Sequence, residues 1–289
     1  MANVEAIQPE QGTRAMEECQ DLVVNLHYTD ICNYRCRFCH SRFGRTPLGL
    51  EEWKRIVANI ARDVDVRRFN LAGGEPLAAP FAQGLIDHIH GLGIPVSVIT
   101  NGSLLTPSWI DANRNKLSMI GISVDAVRHE DNVRLGRVNG AGQSLSKERL
   151  VELARSIHAA GIRLKINTVV NRVNCNRDFH ELVAAVRPDR WKLLRMIRIE
   201  GANDSADDLL VTDAEFDAFA SRHADCRPVV ENTSDIVNAY IVVNPTGRLL
   251  DNTGGRYRET ESLLNRPFGE VFRDVAFDRR AYERRYKAA

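Results

Sequence analysis

The chain has few cysteines, almost no net charge and no long apolar run, and each shortage closes off a class of protein. Its 289 residues carry a formal net charge of +1, so bulk attraction to nucleic acid is not indicated. No stretch approaches the roughly 18 apolar residues that a membrane span needs. The opening segment "MANVEAIQPEQGTRAMEE" has neither a signal-peptide core nor the basic amphipathic face of an anchor. A cytoplasmic protein without a membrane anchor is expected. Six cysteines are few for this length, and clustered cysteines in a reducing compartment argue for metal or thiol chemistry over disulfides. There is no tandem repeat and no low-complexity segment.

What the chain does have is alternation, with 44% hydrophobic residues to build a large core. "LVVNLHY" reads as a strand, and "LGLEEWKRIVANIARD" as a helix with apolar residues near every third or fourth position. The pattern repeats through "VRRFNLAG", "PFAQGLIDHIHGLG", "IPVSVIT", "TPSWIDANRN", "KLSMIGISVD", "SKERLVELARSIHAAG", "IRLKINTVV", "NRDFHELVAAVR" and "RWKLLRMIRIE". Six β/α-type repeats by about residue 200 imply a parallel sheet with helices outside, either doubly wound or a full or partial barrel. An acidic loop, a helix ("TDAEFDAFASRHA") and a β-rich tail ("NAYIVVNPTGRLL") follow. The expected organisation is an N-terminal tail (1–20), one α/β domain (21–200) and a C-terminal extension (201–289) that closes a pocket.

Chemistry concentrates in "TDICNYRCRFCHSR", where Cys32, Cys36 and Cys39 follow the first strand at spacing C-x3-C-x2-C. Such a run can hold an iron–sulfur cluster and leave one iron open. A structural zinc would want a fourth nitrogen or sulfur ligand, from His27 or a distant cysteine, because His40 sits beside Cys39. The second strand ends in "NLAGGEP". Gly73 and Gly74 permit close backbone approach to a ligand, and Glu75 can take a cation such as an amino group. In "IRLKINTVV", Arg163, Lys165 and Asn167 share one face, as do Arg190 and Lys192 in "RWKLL". Cations at mid-strand are more comfortable lining a cavity with an anionic ligand than beneath a helix layer. Several of them suit phosphate. Arg137 and Arg172 lie on loops.

The three cysteines after the first strand and GGEP after the second together resemble the radical S-adenosylmethionine (SAM) superfamily. The resemblance implies a partial (βα)6 TIM barrel of α/β class. It further implies a 4Fe–4S cluster held by Cys32, Cys36 and Cys39, with SAM met by Gly73, Gly74, Glu75, Asn101 and Ser123. The segments "NLHYTDICNYRCRFC", "LAGGEPL", "ITNGSL", "LGR", "KINTVVNRVN", "RWKLL" and "IEGAN" narrow this. In order and separation, over roughly residues 21 to 250, they look like the viperin family, in a soluble microbial or fungal form. Such enzymes convert a nucleoside triphosphate to its 3′-deoxy-3′,4′-didehydro form, a chain terminator of viral polymerases. A 5′-deoxyadenosyl radical takes the ribose 4′ hydrogen, the 3′ hydroxyl leaves as water, and one electron completes the reduction.

By that resemblance Lys165, Asn167, Arg190 and Lys192 grip the triphosphate, with Arg137 and Arg172 as further contacts. Tyr240 lies in the segment against the nucleobase. Arg42 or Arg45 takes the place of a lysine that animal members carry after the cysteine run. Asn238 replaces an acid found near the base in vertebrate members, which leaves CTP and UTP both open. A flavodoxin- or ferredoxin-type electron donor and a monomeric state are expected, and no residue is assigned as general acid. The competing expectation is a radical SAM enzyme acting on another phosphorylated compound or on a peptide. The terminal "RRAYERRYK" reads as a solvated basic helix.

Overall fold

Strand β1 (Leu22–Thr29) is buried at nearly every residue because both of its faces are covered, as expected of a central strand in a parallel sheet. In this computed structural model, which describes residues 20–41 and 47–287, β1 pairs in parallel with β2 (Val66–Gly73). The parallel run continues through β3 (Val96–Thr100), β4 (Leu117–Ser123), β5 (Arg163–Val170), β6 (Arg190–Arg195) and β7 (Val229–Glu231). On the other side β8 (Ile241–Val243) pairs in parallel with β1, and β9 (Arg248–Asp251) and β10 (Arg258–Ser262) add antiparallel strands. The result is one 10-stranded sheet, ordered β10-β9-β8-β1-β2-β3-β4-β5-β6-β7. The region after residue 200 therefore contributes four strands to the same sheet.

Helices α1 (Leu50–Asp63), α2 (Ala82–Gly91), α3 (Pro107–Ala112), α4 (His129–Arg134), α5 (Lys147–Ala159) and α6 (His180–Val186) connect the parallel strands. The sequence dictates their inward faces. Trp53, Ile56, Val57 and Ile60 of α1 are buried, as are Leu150, Leu153, Ala154 and Ile157 of α5, each an i, i+3, i+4, i+7 stripe. The Glu52 carboxylate accepts from Gly49 N (2.8 Å), and Ser146 Oγ accepts from Arg149 N (3.2 Å), so each helix starts with a satisfied backbone donor. After β6 come α7 (Asp213–Arg222), α8 (Thr233–Ile236), α9 (Phe268–Val271) and α10 (Arg279–Lys287).

Helix α10 is not the solvated basic helix that its composition suggests. Ala281, Tyr282 and Arg285 are buried, because the helix folds back onto the start of β1. Tyr282 Oη accepts from Val23 N (2.6 Å) and donates to Asp21 O (3.1 Å). Arg285 Nη1 donates to Ala239 O (2.6 Å), and its Nε donates to Glu231 Oε1 (3.0 Å). Tyr240 Oη donates to the other oxygen of Glu231 (2.9 Å). The space between the sheet's β7 and β8 sides is thus bridged by side chains rather than by a strand ladder.

Candidate active site

The strand ends define the site. At the C-terminal end of β1, Thr29 O accepts from Gly74 N and Ile31 O from Glu75 N, both at 2.7 Å, so the GGE turn extends the β1–β2 pairing into the cysteine loop. What approaches the glycines is this loop. A Cβ on Gly74 would lie 2.7 Å from the Ile31 carbonyl carbon and 2.9 Å from that of Asp30, and Gly73 adopts φ of 134° against Thr29. The glycines seat the cysteine loop on β2.

Glu75 is placed differently from the expectation that it faces a ligand amine. Its side chain is fully buried and accepts from Leu77 N (3.2 Å), Thr100 Oγ1 (2.7 Å) and Asn101 N (2.7 Å). It ties the end of β2 to the end of β3. Asn101 in turn donates to Asn33 Oδ1 (2.9 Å) within the cysteine loop.

Cys32, Cys36 and Cys39 all face one cavity of about 320 Å³, together with Gly73, Gly74, Asn101, Ser123, Arg137, Lys165, Asn167 and Tyr240. The expected thiols and most of the expected SAM and substrate residues are therefore brought together. Among the described residues, the three thiols do not form one of the groups whose donor atoms lie within 4.8 Å of one another. Zinc with sulfur ligands at about 2.3 Å would hold them closer than that. Burial, together with the neighbouring thiols and Asp125, pushes the Cys36 thiol up to about 12 despite Arg137. A free thiolate there is costly, whereas a metal-bound one is stabilised by the metal charge.

Arg137 lies against this loop rather than reaching freely into the cavity. Its Nη1 contacts Asp125 Oδ2 (2.7 Å) and Cys36 Sγ (3.7 Å), and its Nη2 donates to Ser123 O (2.7 Å). Asn203 Nδ2 donates to Phe38 O (3.1 Å) and Ile197 O (3.0 Å), pinning the same loop from the β6 side. At this rim Tyr257 Oη and His40 Nδ1 are 2.6 Å apart. Burial and the nearby His40 bring His27 down to about 3, so its imidazole is neutral.

Deeper in the barrel the walls turn polar. Asn25, Asn70 and Ser97 form a hydrogen-bonded layer across β1, β2 and β3, with links of 2.7 and 2.8 Å. Sequence reasoning missed this layer, although a polar residue alternating inward on each of three apolar strands is a legible signal. On β5 the wall carries Lys165 and Asn167, opposite Arg190 and Lys192 in the β5–β6 register. Asn167 Oδ1 is buried without a hydrogen-bond partner, and no hydrogen bond or ion pair holds Lys165. Burial, then Arg190, brings the Lys165 amine down to about 7.

Arg190 and Lys192 stand behind this wall, already engaged. Arg190 Nη2 donates to Arg285 O (2.6 Å), and Lys192 is ion-paired with Glu231. Burial pushes Glu231 up, but Lys192 and Arg285 outweigh it and hold the carboxyl below its ordinary range. Two further cations were not expected from the sequence. Arg285 has its guanidinium carbon 3.0 Å from the Tyr240 ring centre, and Arg68 of β2 interacts with Arg190 and Lys165. Arg68 Nε, Arg190 Nε and Arg285 Nη2 are buried donors without acceptors. Of these cations Lys165 lines the cavity, and unfilled donors behind it suit an anionic ligand.

Arg172 does not join them. It pairs with Glu215 of α7 and is half-exposed on the outside. Arg42 and Arg45 fall outside the described residues. Among the described residues no helix is long and apolar enough to cross a membrane.

Thiols at the C-terminal rim of a parallel, barrel-like sheet, above an anion-receptive floor, define an enzyme that draws an anionic substrate toward a metal cluster. Comparison with known proteins gives the lineage. Residues 26–186 match the model of the radical SAM superfamily. An S-adenosylmethionine-dependent nucleotide dehydratase of Selenomonas ruminantium is 36% identical over 91% of this chain and 98% of its own. One from Flammeovirga pacifica is 30% identical over 88% and 91%. In fold, SuiB of Streptococcus suis bound to S-adenosylmethionine aligns with a TM-score of 0.69, covering 92% of this chain and 67% of that one, at 15% identity. The chain belongs to the radical SAM superfamily and, within it, to the viperin-like S-adenosylmethionine-dependent nucleotide dehydratases. It is a radical SAM enzyme with a 4Fe–4S cluster and SAM as cofactors.

Proposed function

We propose that this enzyme dehydrates a pyrimidine nucleoside triphosphate, CTP or UTP, to the 3′-deoxy-3′,4′-didehydro nucleotide, a chain terminator for viral polymerases. One observation carries the reading. A single cavity joins the three thiols to Lys165, Asn167 and Tyr240, and Arg190, Arg68, Arg285 and Glu231 act electrostatically on Lys165 from behind that wall. A polyphosphate seated on that wall points the sugar at the cluster.

When bound, the cluster and SAM supply the carbon-centred radical that takes the ribose 4′ hydrogen. Cys32, Cys36 and Cys39 hold the cluster, and Gly73, Gly74, Asn101 and Ser123 line the SAM end. Glu75 and Arg137 act by positioning. Glu75 fixes the GGE turn against Asn101, and Arg137 braces Cys36 against Asp125. Lys165 and Asn167 meet the phosphates, backed by Arg190, Lys192 and Arg285. Tyr240, fixed through its hydroxyl to Glu231, stands beside the nucleobase. The region from residue 201 onward closes the pocket through α10, and water is excluded by the buried wall.

The test is anaerobic reconstitution and reduction, followed by SAM with each nucleoside triphosphate in turn. CTP or UTP should stimulate 5′-deoxyadenosine formation and give a nucleotide lighter by one water. A cluster-bearing protein that cleaves SAM with no response to any nucleotide would refute the substrate assignment.

A further inference from the structure

The floor also fixes the ionic form of the substrate, an inference that rests on the nucleotide reading above. Lys165 lies within electrostatic reach of Arg68, Arg190, Arg285 and the carboxylate Glu231, and Lys192 within reach of Lys165, Arg285 and Glu231, to which it is ion-paired. Fully protonated, the group carries a net of four positive charges. A fully ionised triphosphate carries about four negative charges. Its complex with Mg2+ carries about two, and would leave two cations buried without a counter-charge, which is costly away from water.

Nor, among the described residues, is there a ligand set for the metal. Mg2+ takes oxygen donors in octahedral geometry, usually with one or two carboxylates of the protein. The carboxylate on the cavity wall is Asp125, which is bound to Arg137 Nη1 and accepts from Val169 N (2.6 Å). Glu231 is held by Lys192, Arg285 and Tyr240, and Glu75 already accepts three hydrogen bonds. Asp30 and Glu259 stand at the opposite end, beside His40. At the floor the unfilled groups are donors, Arg68 Nε, Arg190 Nε and Arg285 Nη2. They complement bare phosphate oxygens and repel a cation.

We infer that the enzyme binds the metal-free nucleoside triphosphate tetra-anion, with the cationic floor doing the charge neutralisation that Mg2+ performs in other nucleotide sites. Mg2+ then acts as an inhibitor by sequestering substrate.

The measurement is the affinity of the reconstituted, SAM-bound holoenzyme for CTP and for UTP by calorimetry. It is made in EDTA and in excess Mg2+, with ionic strength matched by KCl. The expected result is at least about tenfold weaker apparent binding in excess Mg2+, and one constant Kd when concentrations are expressed as metal-free nucleotide. Lys165→Gln, which removes one cation from the wall, should weaken binding in EDTA and shrink the Mg2+ effect. Affinity unchanged or raised by Mg2+ would overturn the inference and leave the nucleotide reading standing. No binding of either nucleotide in either buffer would instead remove the nucleotide reading, and this inference with it.

Discussion

Substituting Gly74 by alanine tests how the cysteine loop is seated. The added methyl would lie 2.7 Å from the Ile31 carbonyl carbon and 2.9 Å from the Asp30 carbonyl carbon, where carbon–carbon contact is ordinarily about 3.5–4.0 Å. The loop must retreat by close to an ångström, or the turn must. Either movement strains the Gly74 N–Thr29 O and Glu75 N–Ile31 O hydrogen bonds, both 2.7 Å. Overpacking costs about 1–3 kcal/mol, and a buried backbone group left unpaired costs about 1–3 kcal/mol more. The expected loss is about 2–6 kcal/mol. Urea unfolding of the cluster-free protein reads the stability, and iron and sulfide per chain after anaerobic reconstitution read the loop. Gly74→Ala should fall in that range and load less than about half the wild-type iron. Full loading with stability within about 0.5 kcal/mol of wild type would show that the turn tolerates a side chain, and the account of the glycines would be wrong.

Nucleotide affinity should depend on pH with a definite sign. Lys165 titrates near 7 in the free protein, held down by burial and then Arg190. A bound phosphate favours the ammonium, so binding takes up a proton. Affinity should therefore fall as pH rises above about 7, by up to about tenfold per unit. Calorimetry between pH 6.5 and 9 checks this, and Lys165→Arg, which stays charged, should flatten the profile. Tyr282→Phe leaves Val23 N without its acceptor and should cost about 1–3 kcal/mol in urea unfolding. Arg172→Ala breaks a half-exposed surface pair with Glu215 and should change stability by no more than about 1 kcal/mol, with KM for nucleotide unaltered.

The first six strands and, α4 excepted, the helices between them were legible because each carries an apolar periodicity that a local window captures. β2, expected at "VRRFNLAG", runs over those same residues, Val66–Gly73. The strand β7 is three residues long, too short for a period to register, and α4 has no apolar stripe, its buried residues being Asp131 and Asn132. The terminal helix was misjudged for a different reason. Its charged residues mask a stripe of Ala281, Tyr282 and Arg285, and Arg285 is buried because Glu231, far away in sequence, neutralises it. Nothing in "RRAYERRYK" announces that partner. Arg172 shows the reverse error. Its motif neighbourhood looked functional, but the side chain turns outward to α7. Glu75 was read as able to take a cation, in the segment that resembles the SAM contact. The donors that its oxygens accept from are Leu77 N in its own turn and Thr100 Oγ1 and Asn101 N at the end of β3.

The bond between Tyr282 and Val23 spans 259 residues of sequence, and this has a consequence for the order in which the enzyme is made. Translation releases the cysteine loop early, directly behind the first strand. The helix bearing Arg285 follows only after every strand of the sheet has been synthesised. A nascent chain on the ribosome therefore presents its thiols while the anion floor is still missing a wall. It has the three thiols and lacks the helix whose Arg285 holds Glu231 and Ala239. The bond from Tyr282 to Val23 can form only once α10 has been made.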